Sequence, residues 1–115
     1  GVPGILKLYI DKVMEHGWAY GSKGTALKGK AFIASTTVGA PENLYSAEGA
    51  MKHTVEEFYF PLKQYAALCG LDFKKLFYNC GMMYVPGVTT DEQKAALIEK
   101  AVKQADDVID CVKSL

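Results

Sequence analysis

The sequence predicts an α/β fold: a parallel sheet wound with helices in the order helix, strand, helix, strand, helix. Three observations carry this. The uncharged run Ala31–Val38 is apolar on both alternating faces, as a strand covered on both sides must be. Apolar residues on either side of it recur every three and four positions, the period of a helix. The two strand candidates are separated by a helix-length segment, which excludes a tight hairpin and requires the strands to run parallel.

Pro3 suits a first helical turn, and Val2, Ile5, Leu6, Tyr9, Ile10, Val13 and Met14 form an apolar stripe that Gly17 terminates. The segment 17–30 carries four glycines with Ser22 and Thr25, and is therefore a loop. A loop has no intrinsic need of the large rings of Trp18 and Tyr20, which predicts packing on a partner subunit or a flat ligand. The strand Ala31–Thr37 follows, expected to be buried, and is closed by Val38 and Gly39. It delivers the paired hydroxyls of Thr36 and Thr37, and backbone amides, to the carboxyl end of a strand, where open α/β sheets bind ligands. Tyr45 lies in the Gly/Ala/Pro/Asn-rich loop that runs to about Lys52.

Thr54 with Glu57 forms a capping-box pair, and Val55, Phe58, Leu62, Tyr65, Ala66 and Cys69 continue a helical stripe to Gly70. Pro61 removes a backbone bond and clashes one turn back, so a kink or break is expected near Phe60. Lys75–Cys80 is the second strand candidate. Met82, Met83 and Tyr84 read as core at its end, before a turn at Pro86-Gly87. Thr90 with Gln93 caps the last helix, whose Leu97, Ile98, Ala101, Val102, Ala105, Val108, Ile109 and Val112 form a doubled stripe.

Thirteen basic and thirteen acidic residues cancel, and no block of like charge appears, so the footprint of a nucleic-acid or anionic-membrane binder is missing. The apolar stretches fall short of the ~20 residues of a membrane span and no leader is visible, which predicts a soluble, cytoplasmic protein. Cys69, Cys80 and Cys111 form no Cys-x-x-Cys pair and read as reduced thiols. No cluster has metal-ligand spacing, no Gly-x-Ser-x-Gly elbow exists, and the adjacent acids Glu56-Glu57 and Asp106-Asp107 point apart on their helices. His16 reads as a cation favoured by a helix C-terminus, and His53 as a surface residue.

Two parallel strands alone leave open edges and uncovered helix stripes. The expectation is that residues 1–115 form a partial domain, completed either by a separate polypeptide or by a second copy.

The series Gly1–Val13, then Gly17–Gly21, Leu27–Lys30 and Ser35–Gly39, with Cys69-Gly70, resembles the flavodoxin-like NAD(P)H:quinone oxidoreductases over essentially the whole chain. That resemblance implies the C-terminal portion of a five-stranded doubly wound domain, without the N-terminal half that holds the flavin phosphates. It implies hydride transfer from NAD(P)H through FMN or FAD to a quinone, in a homodimer. By family pattern Thr36, Thr37 and Gly39 touch the polar edge of the flavin ring, and Tyr45 lies near it as the catalytic phenol. Tyr20 corresponds to an aromatic that reaches across the homodimer to close the substrate pocket.

Two departures stand out. Val38 replaces the first of the family's two glycines, and a β-branched residue tolerates positive φ badly, which predicts a different loop backbone. The family's histidine falls at Met51, with His53 two residues away. From the residues alone, the threonines read more simply as a strand end entering a turn, and Tyr45 as a loop aromatic. A rival from another class is a non-catalytic or regulatory flavodoxin-like module, such as an ancillary subunit of a potassium-efflux system or a truncated remnant.

Overall fold

The computed structural model describes residues Gly1–Leu115. The elements are α1 (Gly4–Val13), β1 (Ala31–Thr37), a 3-10 turn (Glu42–Leu44), α2 (Val55–Phe58), α3 (Phe60–Leu68), β2 (Asp72–Asn79) and α4 (Asp91–Lys113). The order expected from the sequence is therefore present, with the middle helix divided. β1 and β2 form a two-stranded sheet. Asp72 N–H donates to Lys30 O at the start of the pair and Val38 N–H donates to Asn79 O at its end. The pairing runs from 30 with 72 to 38 with 79, rising together, so the strands are parallel.

The chain divides into two compact units, 1–32 with 55–75, and 33–54 with 76–115. In the first, the core consists of Ala19, Val55, Ala66 and Cys69. Pro61 occupies the first turn of α3, where a missing N–H costs nothing, and the break falls one residue earlier, at Tyr59 (φ −106°, ψ 5°). Gly70 turns the chain from α3 into β2 with φ +68°, and Leu71 N–H bonds back to Ala66 O. Lys63 lies over the rings of Phe60 and Phe73, and Phe73 packs on Phe32. The stripe of α1 is left outward: Ile5 is 81% exposed, and no residue of that helix is buried.

In the second unit Leu76, Phe77 and Cys80 are buried with Gln104 of α4. The predicted capping box is formed: Gln93 N–H donates to Thr90 Oγ1 (3.1 Å) and Thr90 N–H to Gln93 Oε1 (2.9 Å). The doubled stripe of α4 splits. Leu97, Gln104, Val108 and Cys111 are buried or half-buried, while Ile98, Val102, Ile109 and Val112 are exposed.

Three expectations need correction. β1 has the expected bounds, but none of its residues is buried, because within this chain it has one neighbouring strand and lacks the cover of a full doubly wound sheet. β2 begins at Asp72, three residues early, since its first half is polar and alternating and carried no apolar signal. Met83 and Tyr84 are not core: they are 59% and 54% exposed. No helix is long and apolar enough to cross a membrane.

Candidate functional site

β1 places Thr36 and Thr37 at its carboxyl end, and Val38–Ala40 carries the chain out of the sheet. Three hydrogen bonds anchor this loop to the exit of β2: Val38 N–H to Asn79 O (2.8 Å), Gly81 N–H to Ala40 O (2.8 Å) and Met82 N–H to Val38 O (2.9 Å). Thr37 and Gly39 stay exposed, and Thr36 is half-buried. Neither Val38 nor Gly39 adopts positive φ. The loop therefore accommodates valine without strain. An added Cβ at Gly39 would lie 3.3 Å from the Met83 methyl carbon, the far end of an exposed side chain that can give way.

Tyr45 closes the 3-10 turn, its N–H bonded to Glu42 O at 3.0 Å, and is half-buried. Thr36, Thr37, Gly39 and Tyr45 all belong to the second unit. A polar cavity of about 540 Å³ opens there beside Glu42, Tyr78, Asn79, Cys80, Gly81 and Lys100. Lys100 Nζ caps the Cys80 carbonyl at 3.2 Å. The unit thus gathers small hydroxyls, a phenol and exposed backbone at strand ends. A planar ring with carbonyl and N–H edges fits that chemistry, because it needs hydrogen-bonding groups presented without bulk.

Tyr20 belongs to the first unit. The loop that carries it is built, not slack: Ala19 is fully buried, Ala26 N–H bonds to Trp18 O, and Gly17 N–H bonds to Tyr20 O. The His16 ring meets the Tyr20 ring edge-on with centroids 5.5 Å apart, and Gly21, at φ +91°, leaves room for that imidazole. Tyr20 lines a largely apolar cavity of about 550 Å³ with Ile10, Met14, Tyr59, Leu62 and Tyr65. Within this chain Tyr20 packs on His16, which is neither the partner subunit nor the flat ligand expected for it. Trp18 stays 47% exposed.

Sequence reasoning passed over two residues. The Tyr65 hydroxyl is buried and makes no hydrogen bond of good geometry, with the Cys69 thiol beside it; burial first, then that thiol, push its pKa well above the usual phenol value. Its place in an apolar helical stripe hid it. Gln104 is buried at the carboxyl ends of both strands. The available signal was a polar residue at stripe spacing, seven after Leu97 and four before Val108.

A family model described as flavodoxin-like fold matches residues 1–109. The chain belongs to that flavodoxin-like family. It is 36% identical over 83 residues to the uncharacterized NAD(P)H oxidoreductase YrkL of Bacillus subtilis, covering 72% of this chain and 48% of YrkL. It is 44% identical over 70 residues to KefF of Salmonella typhi, an ancillary protein of the glutathione-regulated potassium-efflux system, covering 61% of this chain and 39% of KefF. Among solved structures, general stress protein 14 of Treponema denticola, in complex with FMN, superposes with TM-score 0.79 at 31% identity. That match covers 92% of this chain and 56% of that one. The chain spans about half the length of the curated relatives it matches.

Proposed function

We propose that the chain forms part of a flavin-dependent NAD(P)H oxidoreductase, with FMN or FAD as cofactor and a quinone as acceptor. The observation that carries the reading is the loop Thr36–Gly39 at the carboxyl end of β1, with Thr37 and Gly39 exposed, in a chain whose structural neighbour was solved with FMN. The name of YrkL supports NAD(P)H as donor. The bound flavin supplies two-electron hydride chemistry. In this reading the chain's own residues bind and orient. Thr36, Thr37 and Gly39 hold the polar edge of the ring, and Tyr45 donates a hydrogen bond to an oxygen on which negative charge develops. Tyr20, by the family pattern, reaches across the homodimer to close the acceptor pocket.

We further propose that residues 1–115 form a partial flavodoxin-like domain, whose flavin phosphates are held by a segment outside it, and that the assembled protein is a homodimer. The exposed stripes of α1 and α4 and the two open-edged strands support this. The test uses the protein with the phosphate-holding segment included: once purified it should be yellow and should oxidise NADPH when a quinone is added. A colourless protein that takes up no flavin on incubation removes the reading. The KefF relative favours a second one, an ancillary subunit of a transport system. It is selected if the protein holds flavin yet turns over no quinone.

A further inference from the structure

We propose that Gln104 is a positioning residue for the cofactor loop, one that locks the strand exits so that Thr36–Gly39 keeps its shape before any flavin binds. The inference rests on the reading of that loop as the flavin edge site. Gln104 is the buried polar side chain of α4. Its Nε2 donates to Ser35 Oγ (2.9 Å) and to the Thr36 carbonyl (2.9 Å), with the Phe77 carbonyl at 3.5 Å. Its Oε1 accepts from Asn79 Nδ2 at 2.8 Å, and the same Asn79 amide reaches Lys100 O at 3.2 Å.

One amide therefore binds the last turn of β1 and the last turn of β2 to the same helix. The carbonyl it holds is that of Thr36, the peptide leading straight into Thr37. The residue whose side chain it accepts from, Asn79, is the one whose carbonyl holds Val38 N–H. Only a primary amide serves both demands: donors toward carbonyls and an acceptor toward Asn79. A carboxylate would face carbonyls, and an apolar chain would make none of these bonds. A group held this way costs no reorganisation when a ligand arrives.

The test compares wild type with Gln104→Met, which keeps length and volume but removes the amide. In the flavin-free protein the amides of Val38, Gly81 and Met82 should exchange with deuterium about tenfold faster, or more, in the variant. The Cys69 and Leu71 amides, in the other unit, should be unchanged. FMN, added as the probe, should bind about tenfold more weakly. Equal exchange and equal FMN affinity would overturn the proposal, as would uniform loosening of all these amides, which marks a purely structural role. Ser35→Ala, at an exposed residue, guards against a variant that does not fold. It should move the same three amides in the same direction by a few-fold, and no change there also counts against the clamp. If wild type takes up no FMN, the flavin reading fails, while the exchange data still decide whether Gln104 shapes the loop.

Discussion

At Tyr65 a ring lines the apolar cavity of the first unit while its hydroxyl stays buried and unpaired. An orphan hydroxyl of this kind costs about 1 kcal/mol or more, so Tyr65→Phe should leave thermal stability unchanged or raise it by about 1 kcal/mol, measured by calorimetry. A loss of that size would show that the hydroxyl has a partner. The sign with pH follows from the raised pKa. The folded state favours the neutral phenol, and the unfolded chain loses its proton near 10.0. The contribution is therefore complete below about pH 10 and lost as pH climbs through the higher folded value. Wild type should lose stability above about pH 10 more steeply than Tyr65→Phe, as alkaline melting curves would show. At Tyr20 the expected outcome is kinetic. Tyr20→Ala should raise the quinone KM about tenfold with flavin content unchanged, and the reverse pattern would place the ring elsewhere.

At the scale of elements, α4 has the strongest local instructions in the chain. Both arms of its capping box are made, and Thr90→Ala, which removes one, should cost about 1 kcal/mol in urea denaturation with no change in m-value. This helix start was legible because Thr90 and Gln93 act within one turn. So was the divided middle helix, since Pro61 dictates its own neighbourhood. β1 was legible to the residue from its uncharged run. The start of β2 was not, because Asp72, Lys74 and Lys75 look like surface and only pairing with β1 makes them strand. Met83 and Tyr84 misled for the opposite reason: hydrophobicity indicates core only where the chain supplies something to cover it. Gln104 lay outside the reach of local pattern altogether, its partners being 68 and 25 residues away.

At the scale of the molecule, the outward faces of α1 and α4 dominate. Ile5, Leu8 and Tyr9 on one helix and Ile98, Val102 and Ile109 on the other are all large, apolar and exposed. Surfaces of this kind are covered in a working protein. The 115-residue polypeptide by itself should therefore sediment as a species larger than one chain, and a clean monomer would refute that expectation. The place of Thr36 and Thr37 at the end of β1 was readable because position along a strand is a local property, whereas their contact with a ring, like that of Gly39 and Tyr45, rests on the family likeness. The cavity around Tyr20 was not, since it is assembled from α1, the glycine loop and α3.

The two-stranded sheet has a consequence for handling. Both strands are edges, and Ala31–Val38 is eight uncharged residues rich in β-branched and aromatic side chains, without proline. A ribbon with those traits templates cross-β fibrils when its cover is lost. Concentrated preparations of this polypeptide should nucleate thioflavin-positive aggregates through that segment, and a lysine introduced at Ala34 is the gatekeeper that suppresses them.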